Sequence, residues 1–374
     1  MKSLSIRDFS LALALVAVVA FFAWQSPVYL DPRNLSNLAV EFSIIAVLAL
    51  GVFLILLPGQ TDLSTGSGVG LFGGVAAVLI SHEIPAPAAM GIAFVGSVTL
   101  WALMGLLIVK QRIPAFIITL AGMLVFRGLH WLVIQNNTIP VKFANQDNLM
   151  SALTTWYLPP WAGWAVAAVV VVVLGISALK ARARRREHHL TLTDPETAFA
   201  GWIIPVQLLV LLVVVLNQFN GVPLPVLILG VTAVTVYILS RHTPFGRHLY
   251  AIGGNAEASR VSGIPVERTI VMAFALCGVT VALTGFLQTA YAGASTATIG
   301  QYLELDAIAA CVIGGVSLSG GKGTVAGVLF GALIMTALLN GMTLLAVNPE
   351  MKFIARGLVL ALAVWMDVAL SKRR

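Results

Sequence analysis

The sequence has 374 residues; 59% are hydrophobic, 10% are charged, and 22 lysines and arginines outnumber 15 acidic residues for a formal net charge of +7. A soluble domain is about 25% charged and about 45–50% apolar, so this composition excludes a soluble enzyme, a disordered chain and a fibrous repeat. The surplus cations fall in short clusters between apolar runs, where the positive-inside rule places cytoplasmic loops, and not on the folded basic face that nucleic-acid binding needs.

A membrane-crossing helix needs about 20 predominantly apolar residues. In chain order the clear candidates are residues 9–25, 42–57, 88–109, 114–134, 161–179, 201–216, 223–239, 269–290 and 353–370. The first is followed by Gln25, Ser26 and Pro27, which make no small-x-small cleavage site, so a retained helix is expected and not a signal peptide. Two regions are less regular: residues 69–80 form a short run, and residues 305–347 are apolar but broken at 317–323. Together they predict an all-α polytopic membrane protein of about ten crossings, a single transmembrane domain over residues 1–374 with broken or re-entrant segments.

The cation clusters set the orientation. Lys2 and Arg7 precede the first run, Lys110 and Arg112 lie between two runs, and Lys180, Arg182, Arg184, Arg185 and Arg186 form the densest group. Arg241, Arg247, Arg260 and Arg268 punctuate a later loop, and Lys372, Arg373 and Arg374 end the chain. All can face the cytoplasm if even numbers of spans separate them, which puts both termini there. Residues 136–160 then face outward, with Trp156, Tyr157 and Trp161 as interfacial aromatics. Cys277 and Cys311 lie inside apolar runs and read as core residues, with no disulfide or metal implied.

Two glycine-rich segments look alike. Residues 59–68 and 314–323 align at a constant offset of 255, so that Leu63 pairs with Leu318, Ser64 with Ser319, Gly66 with Gly321 and Gly68 with Gly323. Each follows an apolar run and precedes a small-residue helix, the signature of an internal repeat. Such glycines do not sustain a continuous helix, and irregular backbone at membrane depth survives only inside protein or beside a water-filled cavity. Matching breaks in two halves point to a transport path. The polar residues at these breaks, Gln60, Asp62, Ser64, Ser317 and Ser319, are the candidate path residues; Asp62 in particular is expensive in a bilayer and should face the bundle interior or an aqueous route.

Two motifs imitate nucleotide chemistry. Gly68, Gly70 and Gly73 match G-x-G-x-x-G but follow no soluble strand and have no acidic residue about 20 positions on. Gly66, Gly70 and Gly74, like Gly327 and Gly331, are better read as small residues that let helices approach closely. The stretch around Gly321 and Lys322 fails as a P-loop because Gly323 stands where the magnesium-binding hydroxyl belongs. The six histidines show no metal-ligand spacing beyond the adjacent pair His188 and His189. No catalytic constellation and no cofactor are expected.

Residues 243–264, which include Thr243, Pro244, Asn255, Glu257, Ala258 and Gly263, resemble the long cytoplasmic loop of sugar permeases in the ABC importer superfamily, ribose/xylose branch. Residues 59–68, 113–128 and 313–324 are similar to that family as well, and Gln60 to Gly66 are most similar to its D-xylose members. The resemblance implies a bacterial inner-membrane importer subunit that works by alternating access. It implies a second permease copy, a cassette ATPase subunit, a periplasmic sugar-binding protein and a lipid environment. It makes residues 241–268 the coupling loop, with Asn255, Glu257, Ala258 and Gly263 at its docking surface. The residues alone agree in part: Asn255 suits a helix N-cap and Glu257 a first turn, and Pro265 cannot extend the helix. A self-sufficient secondary sugar carrier is the competing expectation. It would need buried carboxylates for a coupling ion, for which Asp62, Glu304, Asp306 and Asp367 are the candidates.

Overall fold

A computed structural model describes residues 6–142, 146–187 and 195–371, and places fifteen helices in them. The N-terminal part runs α1 (Ile6–Gln25), α2 (Pro32–Leu56), α3 (Thr65–Ser81), α4 (Ala86–Gln111) and α5 (Ala115–Ile134). A short α6 (Leu149–Thr155) precedes α7 (Pro160–Glu187), α8 (Pro195–Asn217) and α9 (Leu224–His242). The C-terminal part comprises α10 (Pro244–Gly254), α11 (Ala256–Val261), α12 (Val266–Ala292), α13 (Leu303–Ile313), α14 (Val325–Leu344) and α15 (Pro349–Ser371). Seven of these helices are long and apolar enough to cross a membrane, and Leu11–Gln25, Thr65–Ser81 and Gly201–Asn217 are shorter apolar helices. The chain is a polytopic all-α membrane protein.

Local chemistry sets many of the boundaries. Asp31 caps α2, its Oδ1 accepting from Arg33 N at 2.8 Å, with Pro32 at the first helical position, where its fixed φ and missing N–H cost nothing. Arg112 and Gln135 end α4 and α5 in the left-handed conformation. The only sheet among the described residues is two ladders of two residues per strand, Ile139–Pro140 with Ala294–Ser295 and Tyr157–Leu158 with Val222–Pro223. Both tie loops on one face of the bundle, the ladder face.

α2 is the central helix. It packs against α9, α12, α13 and α14, and nearly every residue from Ser43 to Leu57 is buried. A helix apolar all round belongs inside a bundle, whereas α5, α7 and α9 keep large apolar side chains on the outside, as a lipid-facing helix does. Near the ladder face, Tyr291 Oη donates to Glu41 Oε1 at 2.9 Å and Asn340 Nδ2 to Glu41 Oε2 at 3.2 Å, joining α12, α14 and α2. Leu57, just past the other end of α2, meets Gly253 of α10. Cys277 and Cys311 are fully buried core residues, Cys311 Sγ donating to Ala49 O at 3.2 Å.

The broken run expected at residues 305–347 is α13, an interruption and α14; the short run at 69–80 is α3, longer than expected at its N-terminal end. The two interruptions lead into helices that pack differently. α13 and α14 fold back on one another, Gly327 against Gly314 and Gly331 against Ala310, which is the close approach expected of small residues at this spacing. α3 instead packs against α4, α5 and α12. Its Gly66, Gly70 and Gly74 face meets not a helix alone but the non-helical segment 295–300, together with His130 of α5, while Gly73 rests on Gly285 and Thr289 of α12.

Candidate translocation and coupling sites

The first break, residues 57–64, turns the chain between α2 and α3. Asp62 is fully buried there and its carboxylate is fully engaged: Oδ1 accepts from Ser64 N at 2.7 Å and from Ser64 Oγ at 2.6 Å, and Oδ2 accepts from Trp101 Nε1 of α4 at 2.7 Å. A buried carboxylate is tolerated when such donors replace water, and this one closes the turn locally while pinning it to α4. Trp101 is itself fully buried, packed edge-on to Phe72 and against Phe126. Asp62 therefore faces the bundle interior, one of the two environments expected for it.

The second break, residues 314–324, is held by Ser317 N to Lys322 O at 3.1 Å, by Gly320 N to Ser317 O at 3.1 Å and by a hydroxyl pair between Ser317 and Ser319 at 2.9 Å. Gly320, Gly321 and Gly323 all have positive φ, a backbone that glycine alone adopts without strain. The two breaks touch. Gly321 N donates to Leu57 O at 2.8 Å, so the amide that would face phosphate in a P-loop is used to join them. Of the five candidate path residues, Ser319 is exposed and Gln60 half-exposed, while Asp62, Ser64 and Ser317 are buried.

The loop between α9 and α12 holds two helices, not the single short one expected. α10 is amphipathic and capped by Thr243, whose Oγ1 accepts from Gly246 N at 3.3 Å, with Pro244 at its first position. That Thr-Pro pair is a legible start signal that sequence reasoning passed over. The buried side of α10 carries Leu249 and Ile252, and Tyr250 Oη donates to Gly323 O at 2.9 Å. Gly253 packs directly on Leu57 O, Gly321 N and Gly320, at the point where the two breaks meet. α11 comes at once after it. Asn255 caps α11 as expected, its Oδ1 accepting from Ala258 N at 2.9 Å. The helix is six residues, shorter than the two turns expected, and Gly263 at φ 80° ends the turn beyond it. Arg260 bridges Glu257 at 3.4 Å and Glu267 at 2.8 Å, fastening α11 to α12. Asn255, Glu257, Ala258 and Gly263 are all exposed, and so is the apolar side chain of Val261, at 89%.

Helices long and apolar enough to cross a membrane, two breaks in contact and the amphipathic α10 seated on them are the parts of a transport subunit. The family model for the branched-chain amino acid transport system, permease component, matches residues 34–364. The chain belongs to this permease family. It is 40% identical to the xylose transport system permease protein XylH of Escherichia coli K12, covering 100% of this chain and 94% of that protein. It is 36% identical to XylH of Haemophilus influenzae Rd, covering 100% and 99%. It is 32% identical to the ribose import permease protein RbsC of Escherichia coli K12, covering 95% and 92%. No solved structure matches it. The permease is a membrane transport component and not an enzyme.

Proposed function

We propose that the chain is the membrane-spanning subunit of an ATP-binding-cassette importer that carries D-xylose across the bacterial inner membrane by alternating access. The observation that carries this is the similarity over the whole chain to permeases named for xylose. The working assembly pairs two copies of this single-domain permease with cassette ATPase subunits and a periplasmic sugar-binding protein, in lipid, with both termini cytoplasmic. The sugar's route passes the two breaks, with Gln60 and Ser319 on its surface in this conformation and Asp62, Ser64 and Ser317 beneath it. The experiment is uptake by vesicles containing the permease, with and without the cassette subunit and binding protein. Uptake of D-xylose is expected only with both and with ATP. Uptake by the permease alone would establish the secondary carrier instead. Against that carrier stands the state of two of its four carboxylates: Asp62 is taken up by Ser64 and Trp101, and Asp306 lies 3.1 Å from Arg356; Glu304 is buried with Oε2 unpartnered, and the Asp367 side chain lies outside the described residues.

Residues 255–263 are the surface seated on the cassette ATPase. Exposed Glu257, Ala258 and Val261 beside a capped, ion-paired helix support this, since a short helix braced at both ends transmits a push. Gly263→Trp is expected to abolish sugar-stimulated ATP turnover and uptake together while membrane insertion stays intact. Nothing lies within 4 Å of a Cβ at this position, so the damage comes from the left-handed backbone and the added bulk at the docking face. Glu257→Lys should act in the same direction. Stimulated turnover preserved in both variants would move the interface elsewhere, first to residues 180–189.

A further inference from the structure

Arg127 is the thirteenth residue of α5, a helix whose neighbouring side chains Leu124, Val125 and Leu132 point outward. At 1.5 Å per residue it lies about 10 Å below the end of α5, within the apolar depth of the membrane. A cation there does not face lipid; it faces protein or water. The Arg127 guanidinium lies over one face of the Tyr302 ring, 6.0 Å from its centre. Tyr302 belongs to the segment between the ladder strand Ala294–Ser295 and α13. That segment descends beside α3 from Gly74 to Gly66 without forming a helix, a drop of about 12 Å. Irregular backbone at this depth needs protein or a water-filled cavity beside it.

Further observations mark the place. Tyr302 has φ 61°, a strained conformation for a side chain of this size and of the kind that collects at functional sites. Glu304 is 3% exposed, and its Oε2 has no hydrogen-bond partner. Gln301, beside Tyr302, is half-exposed. The ring of Tyr302 is also held edge-on by Phe353 of α15, with centroids 5.1 Å apart. An aromatic face, a guanidinium, a carboxamide and an unsatisfied carboxylate together match one class of ligand: a neutral sugar, with an apolar C–H face to lie on the ring and hydroxyl groups that both donate and accept.

We infer that Arg127, Gln301, Tyr302 and Glu304 form a sugar subsite on the ladder-face half of the path, where the sugar is held after leaving its binding protein and before it reaches the breaks. This rests on the permease function proposed above and adds the place of first contact. Tyr302 supplies the stacking surface on the ring face that Arg127 does not cover, Arg127 and Gln301 bind hydroxyls, and Glu304 accepts from one, gaining the donor it lacks.

The test uses the assembled complex with its cassette subunit and binding protein. Both native cysteines are buried, so a single new cysteine reports its own surroundings. Gln301→Cys is expected to react with a water-soluble maleimide, and excess D-xylose should slow the reaction while excess glycerol should not. Tyr302→Ala is expected to lower D-xylose uptake about tenfold, whereas Tyr302→Phe keeps the ring and most of the rate. A cysteine at 301 that is unreactive in every nucleotide state overturns the subsite. So does its cross-linking to the same cysteine of the second copy, which would make this face a permease–permease contact. Unchanged uptake in an assembled Tyr302→Ala complex overturns it as well. Wild-type complex that takes up no D-xylose refutes the transport function instead, and the labelling of Gln301→Cys still decides the subsite.

Discussion

Gly253→Val is expected to abolish sugar-stimulated ATP turnover and uptake in a complex that still inserts into the membrane. Gly253 rests on the hydrogen bond that joins the two breaks, Gly321 N to Leu57 O at 2.8 Å, and a Cβ at this position would meet both of those backbone atoms. Backbone does not give way as the end of a flexible side chain does. A valine therefore either lifts α10 away or breaks the bond beneath it. α10 is tied to the second break a second time, through Tyr250 Oη and Gly323 O at 2.9 Å, and leads directly into α11. A push on α11 thus reaches both interrupted segments through one joint. Gly254→Ala is the matched control: nothing lies within 4 Å of a Cβ at that position, and its turnover should equal that of the wild type. The measurement is ATP turnover of the reconstituted complex with and without sugar-loaded binding protein. Full stimulation in Gly253→Val would show that force reaches the breaks by another route.

Asp62→Leu is expected to destabilise the permease by about 2–3 kcal/mol, since buried neutral donors left without an acceptor cost about 1–3 kcal/mol each and the loss of a buried charge offsets part of that. Three donors converge on the carboxylate, and hydrogen bonds to a charged group contribute about 1.5–3 kcal/mol each. Leucine leaves the indole N–H of Trp101 and the Ser64 donors without acceptors in a site shut off from bulk solvent, where Asp62, Ser64 and Trp101 are all fully buried. Asp62→Asn should fall between leucine and the wild type. A carboxamide has one acceptor oxygen: turned toward Ser64, it sets its own N–H groups against the Trp101 N–H; turned toward Trp101, it loses Ser64. Thermal unfolding in detergent reads the order directly, wild type above asparagine above leucine. An Asp62→Leu protein that melts with the wild type would mean that the first break is held by other contacts, above all by the second break.

Much of the molecule was open to reading along the chain. Apolar runs of membrane length, the glycines at 59, 314 and 321 that interrupt two of them, and Asn255 at the head of a short polar helix are local features. Helix length, backbone freedom and capping are properties of a few adjacent residues, so composition and spacing determine them. The failure of the P-loop at Gly323 is likewise a matter of adjacent positions. What the tertiary structure decided is which distant residues meet. Asp62 gave no sign of Trp101, nor Leu57 of Gly321; the descent of 295–302 along α3 and its meeting with Arg127 obey no period in the sequence. The Thr243–Pro244 start of α10 was legible, but that Gly253 would land on the contact between the breaks was not. These pairings join elements that lie far apart in the chain, and they arise only when α2 is buried at the centre of the bundle and each buried polar group must find a donor or acceptor on whichever helix packing brings beside it.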